Sequence, residues 1–454
     1  MKNLRSQINL RIDLFSGSFV LGIILFLCTV FQNEYRYPLW ISSAFFVFLS
    51  GKNTKVFGWS VILLGFSLGF NFIGFDYSDV LVFFVFGAGV LWRKITLSLK
   101  ITPFTVLFLF FSAFYILSNV FNAGILSLQV KFWINALFFV VLINSGIFKT
   151  NLPKSIFMMA KLFLLTCAIS YVSVMLNLVP KNVFMDIIRS GRFHGYLGDP
   201  NILALICSFY ACFVFFCLLE RRIPVRLTNI IILLGLCSIL IFTDSRAGWV
   251  NFAFTVFSYL FIAFIRNRPS LIVRFSTAAF VSVSLLFVIL TQTNTVQAFG
   301  DRIAQFVVPN SDAESDRMSF TFTRAAFALG VDNPFGLGTG QTERNEKMPF
   351  ESVEENIQAG STKTIGAHNS FVQILSDNGW GSFLFLILIL LSIFYRLYIR
   401  SFQSDYPFSP LALALFSGLM VNGMFHDLIG WTLTWFVLLS TLALGDHRNA
   451  NLVR

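Results

Sequence analysis

The chain has 454 residues, 56% of them hydrophobic and only 12% charged, with a net charge of +11. Soluble domains carry about 25% charged residues, so a soluble globular fold is excluded. A β-barrel is excluded too, because the apolar runs are long and continuous rather than short and alternating, and the positive charge sits in loops between those runs rather than on a nucleic-acid-binding face.

Taken in order, the apolar runs predict an all-α polytopic membrane protein. Candidate spans lie at roughly 14–31, 37–51, 56–75, 78–92, 102–121, 130–148, 156–179, 200–219, 228–243, 246–265, 274–291, 380–399, 408–425 and 428–445. That makes about fourteen transmembrane helices. The runs at 37–51, 78–92 and 228–243 are short for a hydrocarbon core about 30 Å thick, so twelve is the alternative count. Lys2, Arg5 and Arg11 precede the first run and no A-x-A-like cleavage site follows it, which predicts an uncleaved first span. Lys and Arg concentrate in alternate loops, at Lys52 and Lys55, Arg93 and Lys94, Arg221, Arg222 and Arg226, and Arg396 and Arg400. This places both termini on the cytoplasmic side. The chain then divides into eleven helices with short loops (1–291), a large outer loop (292–378), and three last helices with a cytoplasmic tail (379–454). The six cysteines all lie within apolar runs and read as small hydrophobes rather than metal ligands or disulfides.

The unusual sequence collects on the outer side, in three pieces. The loop 180–199 carries Gly191-Arg192-Phe193-His194-Gly195 and then Gly198-Asp199-Pro200-Asn201. Its Gly and Pro punctuation lets it fold back towards the membrane. The second piece is the tight turn Thr243-Asp244-Ser245-Arg246-Ala247-Gly248 between two spans. The planar guanidinium of Arg246 suits a phosphate group; the alternative is an interfacial arginine reaching to headgroups.

The third piece is the outer loop itself, which holds half of the 22 acidic residues. Segment 316–330 reads as an amphipathic helix with Phe320, Phe327 and Ala328 on one side. Asn333-Pro334 stops it, and Gly336, Gly338 and Gly340 follow as a turn. Arg317 and Arg324 are seven apart and share one face of that helix, where two guanidinium groups can grip a diphosphate. Pairing with Asp316, Glu314 or Asp312 is the competing role. Segment 341–365 has five Glu and no periodicity. His368 follows, just ahead of the span at 380, with Asn369 and Gln373 one helical turn apart beyond it. An imidazole can take a proton from a sugar hydroxyl near neutral pH; a capping histidine is the competing role. His426-Asp427, in a short outer turn, reads as a local hydrogen-bonded pair.

Zinc spacing, a P-loop, a dinucleotide fingerprint and a nucleophile elbow are all missing from the sequence. An enzyme working on the outer face has no ATP, so its donor arrives activated.

The order of these phrases carries a resemblance: G-R-x-x-G before a span, S-R-A-G between two spans, an Arg-bearing helix running into N-P-x-G-x-G, then H-N before a Gly-containing helix. Over about residues 190–400 the chain resembles the bacterial O-antigen ligase and O-antigen polymerase superfamily, inner-membrane glycosyltransferases of GT-C type. The resemblance implies transfer of an oligosaccharide from an undecaprenyl diphosphate carrier to an acceptor glycan on the periplasmic face, with inversion and with neither cofactor nor metal. It implies His368 as the base, Arg246 and Arg317 as diphosphate ligands, and Arg192 and Arg324 beside them. His194, Asn369 and Gln373 are further substrate-binding candidates. After the His, Gly379 matches the family pattern, whereas Ser382 stands where a second glycine is expected and Gly381 sits one position earlier. That departure favours a polymerase of O-antigen or capsule repeat units over a ligase that uses lipid A core. A flippase for lipid-linked glycans is the alternative of another class, but it would carry charges inside its spans, and these spans are nearly free of them.

Overall fold

In the computed structural model, the described residues are chiefly 75–91, 103–122, 146–178, 184–186, 192–197, 199–266, 314–342, 369–425 and 432–447, with a few isolated positions besides. They form ten helices: α1 (Tyr77–Leu91), α2 (Pro103–Asn122), α3 (Gly146–Met175), α4 (Pro200–Leu219), α5 (Leu227–Phe242), α6 (Arg246–Ile265), α7 (Glu314–Asp332), α8 (Ser370–Ser401), α9 (Ser409–Phe425) and α10 (Thr432–Gly445). Two two-residue antiparallel pairs depart from a purely helical chain. β1 (Asn71–Phe72) pairs with β2 (Phe75–Asp76), and β3 (Met185–Asp186) with β4 (Arg192–Phe193).

Among the described residues, four helices are long and apolar enough to cross a membrane: Leu152–Met175 within α3, and α4, α6 and α8. Part of α2, all of α5 and most of α9 are shorter apolar helices. The expected spans at 14–31, 37–51, 56–75, 130–148 and 274–291 lie wholly or mostly outside the described residues.

α4 is the hub. It is buried along nearly its whole length and packs on α3, α5, α6 and α9. α6 and α9 make the broadest helix–helix contact, and α8 lies between α2, α7 and α9. α5 and α8 keep large apolar side chains exposed, among them Leu234, Phe242, Leu384 and Leu391, as helix faces against lipid do. Cys167, Cys207, Cys212 and Cys217 are buried and free.

The helices alternate in direction, so the ends of α2, α5 and α9 meet the starts of α4, α6 and α8 at one end of the bundle. At the other end, Arg222 pairs with Glu220, which also accepts from the Tyr259 hydroxyl. Arg222 donates as well to the Pro407 carbonyl at 2.9 Å, tying the α4–α5 and α8–α9 turns together.

Candidate active site

Three caps at the first end explain why the chain turns where it does. Asp199 caps α4, its Oδ1 accepting from the Asn201 and Ile202 amides at 2.7 and 3.2 Å, and Pro200 takes the first helical position, where no amide is needed. Ser245 caps α6 through the Gly248 amide at 3.2 Å. Only Thr243, Asp244 and Ser245 separate α5 from α6, and Asp244 makes the turn at φ 48°. Arg246 is therefore the first residue of α6.

β4 delivers Arg192 to this corner. Its Nε donates to the Thr243 carbonyl at 3.0 Å and its Nη2 to Asn201 Oδ1 at 3.1 Å. The same Asn201 oxygen accepts from Ser245 Oγ at 2.8 Å. Arg192 thus braces the turn from which Arg246 departs. His194, two residues on, has Nδ1 2.8 Å from the Gly195 carbonyl, which fixes the tautomer with the proton on Nδ1.

The second part of the site is the start of α8. Asn369 caps it, Oδ1 accepting from the Phe371 and Val372 amides at 3.0 and 3.1 Å. Gln373 is buried, with Oε1 accepting from the Ala367 amide and Nε2 donating to Asp377 Oδ2, each at 2.8 Å. The Ala367 carbonyl accepts from Thr323 Oγ1 of α7 at 2.6 Å. His368 itself lies outside the described residues, but the residues on both sides of it are anchored. Arg324, next to Thr323, is exposed. Arg317 lies on the same helix, two turns earlier. His426 and Asp427 fall outside the described residues.

The last turn of α9 joins the two parts. Asn422 Nδ2 lies 3.4 Å from the Ala247 carbonyl, beside Arg246, and the Met424 carbonyl accepts from Asn369 Nδ2 at 3.1 Å, beside His368. Residues two apart on one helix thus touch the immediate neighbours of both.

Beneath this lies a knot. α8 is broken at Gly379, with φ 78° and ψ 179°. The turn after α7 supplies the partners that the break removes. Leu337 and Gly338 amides donate to the Ser376 and Asp377 carbonyls at 2.9 and 2.8 Å, and the Trp380 amide donates to the Pro334 carbonyl at 3.0 Å. The two backbones are so close that a Cβ on Gly379 would stand 2.3 Å from the Pro334 oxygen, and one on Gly336 2.4 Å from the Asp377 oxygen. α2 buttresses the knot from the other side. Ser118 Oγ donates to the Asp377 carbonyl at 2.9 Å, Asn119 Oδ1 accepts from the Thr339 amide at 2.9 Å, and Asn122 Nδ2 donates to the Gly336 carbonyl at 3.0 Å.

At its centre sits the Asp377 carboxylate, 4% exposed. It accepts from the Gly340 and Thr342 amides at 2.9 and 3.1 Å, from Thr342 Oγ1 at 2.5 Å and from Gln373 at 2.8 Å. All these partners are donors, the set that an ionised carboxylate takes. Sequence reasoning assigned no role to Asp377, Thr342, Asn119 or Asn122. The polar S-N-x-x-N run at the end of an otherwise apolar α2 was the available signal, because such groups within a span need partners.

Residues 230–387, about a third of the chain, match the family described as O-antigen ligase. The match covers Arg246, Arg317, Arg324 and His368 and supports the likeness to the O-antigen ligase and polymerase superfamily. No curated protein matches the chain.

Proposed function

With the O-antigen ligase match as premise, we propose that this chain is a multi-pass inner-membrane glycosyltransferase. It moves an oligosaccharide from an undecaprenyl diphosphate carrier to a sugar acceptor on the periplasmic face. His368 takes the proton of the acceptor hydroxyl as its oxygen attacks the anomeric carbon. The bond from that carbon to the diphosphate breaks, inverting the centre, and the carrier diphosphate leaves with the bonding pair. Arg246 and Arg317, with Arg324, meet the charge developing on the diphosphate, and Arg192 holds the turn that aims Arg246. The ends of α2, α5 and α9 and the starts of α4, α6 and α8 face the periplasm.

The observation that carries this reading is the last turn of α9, where Asn422 and Met424 hold the neighbours of Arg246 and His368. A leaving-group clamp and a base need that proximity, because the reacting atoms must be held within about 3–3.5 Å. In our reading the acceptor is a second lipid-linked repeat unit, which makes the enzyme a polymerase; Ser382, in place of a family glycine, supports this. The family description favours the second reading, a ligase acting on lipid A core.

The test is transfer by the purified protein in nanodiscs, supplied with lipid-linked repeat units with and without lipid A core. Chain lengthening without core supports the polymerase; product only with core supports the ligase. His368→Ala should lose about 100-fold or more in rate while remaining folded. Arg246→Lys, which keeps the charge and loses the fork, should lose about 10-fold or more. Full activity of folded His368→Ala protein sinks the mechanism.

A further inference from the structure

Gln373 is buried and both ends of its side-chain amide are used within the protein. The Ala367 amide can only donate, so the oxygen of Gln373 must face it. The nitrogen must then face Asp377, which has to accept. The side-chain orientation, otherwise a matter of assignment, is dictated by these two partners. The Ala367 carbonyl is held separately by Thr323, and the Gln373 amide donates to the Asn369 carbonyl at 2.9 Å. A line of hydrogen bonds therefore runs from a buried carboxylate to the residue before His368 and, by the helix itself, to the residue after it.

We propose that Asp377 and Gln373 are positioning residues. Together they fix the backbone that carries His368, and so set how well the base reaches the acceptor hydroxyl, without touching substrate. This rests on the reading of His368 as the base. Asp377 is suited to the task because its other partners, Gly340 and Thr342, belong to the turn locked onto the α8 break. The base is thereby referenced to the rigid knot rather than to the neighbouring loop.

Polarity gives the test. Asp377→Asn turns one acceptor into a donor. In one orientation the new donor faces the Gln373 nitrogen and the Gly340 amide; in the other it faces Thr342. Gln373→Glu places a carboxylate oxygen against that of Asp377. Combined, the two substitutions reverse the polarity of the 373–377 bond and still leave an acceptor for the Ala367 amide, so the pair should recover what each single change loses. The only conflict left is at the Gly340 amide.

The experiment measures kcat, KM for the lipid-linked donor, and folded fraction for Gln373→Glu, Gln373→Leu, Asp377→Asn and the double variant in nanodiscs. His368→Ala is run in parallel. Each single variant is expected to lose about 100-fold in kcat per folded molecule, the loss that a misplacement of about 1 Å produces. KM should stay within about 2-fold, and the double variant should regain at least about 10-fold. Unchanged kcat per folded molecule in the single variants overturns the proposal, as does a double variant no better than they are. Hydrogen exchange of the wild-type segment containing Ala367 covers the case in which the variants do not fold: protection supports the held amide, and rapid exchange overturns it. Activity in His368→Ala sinks the base reading itself. Inactive His368→Ala beside fully active Gln373 variants sinks only the positioning role.

Discussion

Gly379→Ala probes the knot most directly. The residue sits at φ 78° and ψ 179°, a region essentially reserved for glycine that costs another residue about 1–3 kcal/mol. The added Cβ would stand 2.3 Å from the Pro334 oxygen, 2.6 Å from the Phe335 carbonyl carbon and 2.7 Å from the Gly336 nitrogen. All three are backbone atoms, so no side chain can swing away and the two segments must part. Parting them loses the Leu337–Ser376, Gly338–Asp377 and Trp380–Pro334 hydrogen bonds, each worth about 1 kcal/mol. The sum is about 4–6 kcal/mol, a large share of the roughly 5–15 kcal/mol that holds a typical fold together. Gly423→Ala on α9 is the control, since its Cβ would meet nothing nearer than 3.7 Å and alanine favours a helix interior. Thermal unfolding in matched nanodiscs should show Gly379→Ala melting many degrees below wild type, with early proteolysis after α7, and Gly423→Ala within a degree or two. Equal melting temperatures for wild type and Gly379→Ala would refute the interlock.

Two further outcomes follow from the same geometry. Arg192→Lys cannot bridge the Thr243 carbonyl and Asn201 with one ammonium group as the guanidinium does; transfer should fall about 10-fold or more, with Arg192→Ala no better, read as initial rate per folded enzyme. Asn369→Ala removes the α8 cap and the bond to Met424, and should cost about 1–2 kcal/mol in unfolding free energy.

The middle of the bundle was legible because its boundaries are written locally. Spans expected at 200–219, 228–243 and 246–265 are Pro200–Leu219, Leu227–Phe242 and Arg246–Ile265. Asp199-Pro200 and Ser245 are cap residues that act on their own neighbours, whatever the rest of the chain does. The helix expected at 316–330 is α7 (Glu314–Asp332), stopped at Asn333-Pro334 as its sequence suggests. The face that packs inward, however, is Phe322, Ala326 and Leu329, and Phe327 and Ala328 of the expected apolar side are exposed.

The start of α8 was legible in part. Asn369 and Gln373 were expected one helical turn apart, and the helix does begin at Ser370. Apolarity places the span only at 380, however, and the helix runs on across the expected 378/379 division with a break at Gly379. Its first turns are polar because their partners come from α2 and from the turn after α7, and no local pattern reports such tertiary partners. Asp377 looked like one more acid in an acidic loop. Its burial follows from contacts with residues 35 and 37 positions earlier. α3 also starts early, at Gly146 rather than the expected 156, with Pro153 inside it.

The pairing between α2 and the knot also sets an order of manufacture. Asn119 and Asn122 leave the ribosome more than 200 residues before the glycine turn that satisfies them, the separations being 220 and 214. The turn in turn has no seat until the break at Gly379 has been made. Through that interval the two side-chain amides have only α2's own carbonyls, Asn119 Nδ2 donating to Tyr115 at 2.7 Å and Asn122 Nδ2 to Ser118 at 3.2 Å, and the Asn119 oxygen still lacks the Thr339 amide. At the end of the span the remaining groups can be met by water until the turn arrives, so the late partners replace solvent rather than fill a void. The protein is therefore finished from its last third backwards: the arrival of α8 completes a helix synthesised long before it, and a chain truncated ahead of residue 380 leaves α2 unfinished as well.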